Sequence, residues 1–302
     1  MAYNILPSAL LKKTITWVMI VLPWWVFAAG LENLAVVTPA TVYCLAPRWS
    51  PEGKLYCSTP QYTEILQINT LNGSLKPVAS GMGCGFRFAF ASDGSIFYKM
   101  VGEEGRELWK VDTVGTRRRL AQSPMMGLPA WYDGAIRVQM GDGVRSWSAE
   151  GAEIGGSADG WAYQDGGGIF RIRAGAPPQR ISPQGTEACL PELSPDGKRL
   201  IYEALGRGVM LVSLETGASH SIGPGNNACW SNDGSFFLFD RAADDGHRLT
   251  AGDIFLMSRD GGPALNLTEN TDLIATHPSI SPDGQRVAFE AEGRIWVGEL
   301  RR

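Results

Sequence analysis

Beyond residue 30 the apolar positions fall into short runs rich in β-branched and aromatic residues, each bounded by Gly, Asn or Asp. No stretch there sustains a helical period, so the pattern predicts strands throughout. The runs 54–57, 96–100, 135–139, 161–163, 199–203, 236–240 and 286–290 each follow a four-residue turn. In its fullest form the turn is Ser281-Pro282-Asp283-Gly284. Pro282 presets φ, Asp283 can bond the local backbone and Gly284 accepts positive φ, which together make a tight hairpin.

Seven versions of this turn align on their final glycine: Gly53, Gly94, Gly134, Gly160, Gly197, Gly234 and Gly284. Their spacings of 41, 40, 26, 37, 37 and 50 residues lie mostly near the ~40–45 residues of a four-stranded propeller blade. Further strands follow each turn, as in Ile65-Leu66-Gln67-Ile68-Asn69 with its Asn72-Gly73 turn, and Asp253-Ile254-Phe255-Leu256-Met257 with its Asp260-Gly261-Gly262 turn. The short spacing from Gly134 to Gly160 calls for a compact blade built with 143–148 and 153–155.

The last unit runs through a third strand at 294–298 and lacks a fourth, while Leu34-Ala35-Val36-Val37 stands ahead of the first unit. Adding that strand to the last sheet closes a ring and leaves only short edges. The expectation is therefore an all-β fold, a β-propeller of four-stranded blades closed by an N-terminal strand. Seven turns give seven blades; the alternative, should the 26-residue unit not be a blade, is six. With 37 Gly and 18 Pro in 302 residues, the composition suits one such domain over 30–302.

Residues 1–29 differ in character. Lys12 and Lys13 precede an acid-free apolar run over 15–29 that ends in the small residues Ala28-Ala29-Gly30, as a secretory signal peptide does, with an uncleaved anchor as the other reading. Cleavage takes the formal charge from −4 to −6, leaves no membrane insertion to expect, and places the chain in the periplasm or outside the cell. No basic footprint for nucleic acid is present. The run Arg117-Arg118-Arg119 reads as a solvated strand edge. In an oxidising compartment the five cysteines could pair: Cys44 with Cys84 and Cys189 with Cys229, or Cys44 with Cys57 across one hairpin.

The segments 194–202 and 281–289, and 253–262 followed by Leu265-Asn266-Leu267-Thr268, resemble the repeat of TolB-type β-propellers. That resemblance covers 190–300 most specifically. It implies a cell-envelope propeller that binds other proteins through one face or its channel mouth. TolB itself has an α/β domain ahead of its propeller, for which the residues before Cys44 leave no room, so its docking mode does not carry over.

Catalytic signals are sparse. There is no G-x-S-x-G elbow, no zinc-spaced Cys or His pair, and Gly166-Gly167-Gly168 opens no helix, so no cofactor is expected. The turn residues Asp93, Asp133, Asp159, Asp196, Asp233 and Asp283 are explained by their turns, and Trp49 and Trp230 by packing between blades. Candidates for a binding channel rim are the residues ahead of each inner strand: Arg87, Met125, Met126, Glu187, Asn226, Asn227 and His277. The insertion 241–250 is a further candidate. The functional expectation is a non-enzymatic envelope module binding a protein or peptide. The alternative is a propeller lyase or lactonase acting on a sugar-derived substrate, with a divalent metal near His277.

Overall fold

Pleated runs joined by tight turns cannot bury their apolar faces singly, and here they stack radially. A computed structural model describes residues 30–141, 143–155 and 158–302; the expected signal segment lies outside the described residues. The chain forms seven antiparallel sheets in a ring: blade 1 over residues 45–80, blade 2 over 89–123, blade 3 over 130–154, blade 4 over 162–180, blade 5 over 188–221, blade 6 over 226–266 and blade 7 over 275–301. Blade 7 takes its outer strand from the other end of the chain. Gly30–Val36 pairs with Arg294–Arg301, from Gly30 opposite Arg301 to Val36 opposite Trp296. Closure by the N-terminal strand and the count of seven are thus as the repeat predicted. The strands Gly143–Trp147 and Glu153–Ile154 complete blade 3 as the compact unit required.

The turn repeat is held by its own side chains. In blade 7, Gly284 N–H donates to Ser281 O at 2.8 Å, Gln285 N–H to Asp283 Oδ1 at 3.0 Å and Arg286 N–H to the fully buried Ser281 Oγ at 2.8 Å. Blades 5 and 6 repeat the set through Ser194 and Asp196 and through Ser231 and Asp233. The serine satisfies the first N–H of the second strand where no water reaches it. Ser281→Ala should therefore destabilise the fold by about 1–2 kcal/mol, read as a lower urea midpoint. An unchanged midpoint would show that Arg286 N–H finds another acceptor.

The core lies between blades rather than within them. Apolar clusters join blades 7 and 1 (Trp49, Ile68, Ile295), 1 and 2 (Tyr56, Phe88, Tyr98), and 2 and 3 (Phe97, Ile136, Trp147). Others join blades 4 and 5 (Ile169, Tyr202), 5 and 6 (Ile201, Trp230, Phe237), and 6 and 7 (Leu238, Phe289). Among the described residues no such cluster joins blades 3 and 4. Among the described residues blade 4 is also the one sheet with three strands, Ala162–Asp165, Gly168–Arg173 and Ala176–Arg180. The repeat turn that ends at Gly160 comes only six residues after Ile154, which leaves little chain length for an inner strand as well.

Candidate functional site: the channel wall

The innermost strand of each blade faces the central channel, and its sequence position decides which side chains do so. Four residues before the first turn residue, Ala46, Arg87, Leu190, Asn227 and His277 all take positive φ, between 49° and 53°. In blades 1, 5, 6 and 7 the strand register shifts there, which makes a β-bulge. A bulge bends the strand and re-aims side chains, at a cost of about 1 kcal/mol for a non-glycine residue held at positive φ. Two residues before the turn, Arg48, Ala89, Pro129, Glu192, Cys229 and Ser279 line the channel as an irregular ring.

At the end of the channel away from the turns, the positive-φ residues of blades 2, 6 and 7 form one polar network with nearby carboxylates. Asp240 Oδ2 accepts from Asn227 Nδ2 and from the main-chain N–H of His277, both at 2.8 Å. Glu203 Oε1 accepts from Asn227 N–H at 2.6 Å. Arg87 completes it, with Nη2 3.5 Å from Asn227 Oδ1 and its nitrogens 3.9 and 4.0 Å from Glu192 and Glu203. Asp240, Glu203 and Glu290 each stand nine residues after the first turn residue of their own blade. Asp240 and Glu203 thereby hold the bulge of the next blade, while Glu290 accepts from Thr276 Oγ1 at 2.6 Å and Gly293 N–H at 2.8 Å within blade 7.

Burial sets the protonation of this network. It pushes the Asp240 carboxyl up to about 6 against the pull of Asn227, and raises Glu203 as well. It holds the His277 imidazole down at about 4, with Arg87 adding repulsion. The His277 ring nitrogen Nδ1 lies 3.1 Å from Thr276 Oγ1. Burial, together with Arg87, also lowers Arg48 against the pull of the nearby Glu192 carboxylate. Among the described residues no group accepts a hydrogen bond from the Arg48 guanidinium, whose Cζ lies 5.9 Å from the Phe88 ring centroid. Arg48 is enclosed by protein yet keeps part of its surface towards the channel, which is where an unpaired guanidinium is tolerable.

The channel widens into a cavity of about 1180 Å³, in keeping with the missing inner strand of blade 4. It runs from turn residues such as Pro51, Asp196 and Pro282 to Met125, Asp165 and Gly166 at the other face. Trp131, Tyr132, Trp161, Tyr163 and Trp230 supply aromatic wall, Trp161 and Tyr163 stacking at 5.5 Å between centroids. A second space of about 70 Å³ lies beside Arg87, Asn227, His277 and Tyr62.

Of the residues proposed from sequence, Arg87, Met125 and Met126 line the large cavity, and Asn227 and His277 the small one. Glu187 and Asn226 line neither; both are exposed, and Asn226 instead bonds Asp240. The insertion 241–250 is not an irregular loop. It lengthens the paired strands Phe236–Asp244 and Leu249–Ser258. Arg48, Glu192, Glu203 and Asp240 escaped the sequence reading, though their fixed offsets from the turn serine are a signal that marks them. Asp93, Asp196, Asp233 and Asp283 bond the backbone of their own turns, while Asp133 lies 4.0 Å from Arg137 and Asp159 Oδ1 accepts Ala174 N–H at 2.8 Å. Trp49 and Trp230 pack between blades as expected, Trp230 Nε1 donating to Glu192 O of blade 5 at 3.1 Å and Arg286 of blade 7 lying 4.6 Å over Trp49. Arg117–Ser123 is the outer edge strand of blade 2, with its three arginines exposed.

None of the five cysteines is bridged in this structure. Cys44 packs in the seam of blades 7 and 1 and Cys84 in that of blades 1 and 2, where Cys84 Sγ donates to Thr63 O at 3.3 Å. Cys189 precedes the bulge of its strand and Cys229 follows it, so the two are not at equivalent heights, and Cys229 Sγ donates to Pro278 O at 3.3 Å. Cys44 and Cys57 are hydrogen-bonded neighbours across their hairpin.

No family model matches the chain, and no curated protein does. Solved structures match along nearly its full length. A chain of the mitotic checkpoint complex aligns at a TM-score of 0.65 and 14% identity, covering all of this chain (100%) and 98% of that one. Streptogramin B lyase aligns at 0.61 and 15%, covering 89% and 97%. The oligogalacturonate lyase of Vibrio parahaemolyticus aligns at 0.57 and 14%, covering 90% and 96%. At such identities the likeness shows the fold. This chain is a seven-bladed β-propeller whose neighbours in shape differ widely in what they do.

Proposed function

We propose that this chain is an exported, non-catalytic propeller of TolB type that serves as an interaction or scaffold module in the cell envelope and binds a protein or peptide through its channel. The observation that carries this is the large cavity, walled by tryptophan and tyrosine and containing Arg48, whose guanidinium has no hydrogen-bond acceptor among the described residues. Such a wall offers contact area and one charged anchor, as peptide-binding surfaces do. Export is supported by the apolar segment over 15–29, and the TolB type by the repeated Ser-Pro-Asp-Gly turn with its Leu267-Thr268 blade end. The metal-dependent lyase or lactonase reading needs donors convergent with His277. Among the described residues no group of three His, Cys, Asp or Glu side chains is disposed to hold a metal, and His277 is committed to Thr276 and to the bulge.

A photo-crosslinking residue tests the reading in cells that produce the full chain. Placed at Met125, inside the cavity wall and 61% exposed, it should capture a discrete partner at least about fivefold more than at Leu71, 95% exposed on the outside of blade 1. Equal capture at the two positions would remove the channel as the binding face.

A further inference from the structure

The three-stranded blade leaves a strand position open on the channel. Trp161 O accepts Ile172 N–H at 2.9 Å, which sets the ladder between Ala162–Asp165 and Gly168–Arg173. Antiparallel pairing alternates, so Tyr163 and Asp165 turn their main-chain groups towards Phe170 and Gly168. Ala162 and Gln164 turn theirs the other way, to the edge that an inner strand covers in every other blade. Among the described residues nothing donates to or accepts from those four main-chain groups. Buried or enclosed strand edges are ordinarily paired.

The other side of the seam is equally unusual. In the second strand of blade 3, Ile136 and Val138 join the apolar cluster with blade 2, so Arg137 and Gln139 take the face towards blade 4. Arg137 is 5% exposed; its Nη1 donates to Ser146 Oγ at 2.9 Å and its Nη2 lies 4.0 Å from Asp133 Oδ2, while among the described residues nothing accepts from its Nε. The seam is polar where the other six are apolar, and it opens on the cavity that also holds the unpaired Arg48.

We infer that this position receives an extended, acidic segment of a partner protein, which adds to the edge of Ala162–Asp165 as the inner strand of blade 4 and places a carboxylate on Arg48. Main-chain bonds to Ala162 and Gln164 supply affinity without regard to sequence, and the side-chain pockets and the guanidinium supply choice. Trp161 and Tyr163 receive alternate side chains of the added strand. This rests on the channel-binding reading above and names the conformation and charge of what is bound.

The test is selection of random decapeptides displayed on phage against the immobilised full chain, with depletion on Gln164→Pro. Proline removes the outward N–H, and an edge position tolerates it; its folding is verified by an unchanged thermal midpoint. Enriched sequences should carry Glu or Asp among β-branched and aromatic residues, and a selected peptide should slow amide exchange within residues 161–165 by at least about tenfold. Arg48→Gln should weaken that peptide about tenfold or more, and should do so even if the proline variant fails to fold. Three results overturn the inference: enrichment that is abolished by depletion on folded Gln164→Pro, a bound peptide that leaves exchange at 161–165 unchanged, or slow exchange there before any peptide is added, which would mean that the chain or a second copy already fills the position. Binding that leaves exchange unchanged, with crosslinks still formed at Met125, overturns strand addition alone; loss of the Met125 crosslinks overturns the channel reading beneath it.

Discussion

Removing residues 30–38 should lower the stability of the propeller by about 5 kcal/mol, a large share of what a domain of this kind has to lose. Among the described residues this segment is the strand by which the start of the chain pairs with its end. Leu31 and Leu34 pack with Trp296 and Leu300 against the cluster of blades 6 and 7, and Val37 belongs to the cluster of blades 7 and 1. Val37 N–H donates to Ile295 O at 2.8 Å, Ile295 N–H to Thr38 Oγ1 at 2.9 Å and Arg294 Nη2 to Thr38 O at 2.9 Å. Three apolar side chains at about 1 kcal/mol each for partial burial, with two or three bonds at about 1 kcal/mol each, reach the stated size. The measurement is the guanidinium midpoint and slope of unfolding. Thr38→Val, which leaves the buried Ile295 N–H unpaired, should reproduce about 1–2 kcal/mol of it. A deletion that costs under about 1 kcal/mol would mean that the ring does not depend on this closure.

Between pH 4 and 6.5 the contributions of Asp240 and His277 to stability should oppose one another, which two variants expose. The carboxyl of Asp240 is raised to about 6 in the folded chain from an ordinary value of 3.8, so the native state holds its proton more firmly than the unfolded one. Its contribution is present below pH 4 and is lost as pH rises to about 6. His277 is depressed to about 4 from 6.5, so the native state excludes the proton. That contribution is present above pH 6.5 and is lost as pH falls to about 4. Each is worth about 3 kcal/mol, and over the shared window they oppose one another. Asp240→Asn keeps an oxygen for the N–H groups of His277 and Asn227 and leaves the histidine alone, so its stability should rise by about 3 kcal/mol from pH 4 to 6.5. His277→Asn suits the positive φ and leaves the carboxyl alone, so its stability should fall over the same range. Urea midpoints at three pH values decide it. Variants whose pH profiles run parallel to the native chain would show that neither group is held as described.

Much of the architecture could be read from local chemistry. Ser281-Pro282-Asp283-Gly284 announces a hairpin because every group it needs lies within six residues, and the spare strand near Leu34 matches an incomplete end near Arg294. The rim candidates Arg87, Asn227 and His277 were legible as starts of inner strands, but their carboxylate partners were not. Glu203 and Asp240 bind across a blade boundary, 24 and 37 residues along the chain. Cys44 and Cys84 looked equivalent until the seams placed them in different clusters.

The amino-acid order alone determined the turns, the strands, their number per blade where the spacing was ample, and the join of the two ends. These depend on φ preferences and on bonds between near neighbours, which any chain with those letters must satisfy. Only the assembled ring decided which blade goes without its inner strand, which arginine is left without an acceptor, and where the channel widens. Those outcomes belong to contacts between blades, where bulges re-aim side chains and the shortage of residues after Ile154 is borne by one sheet.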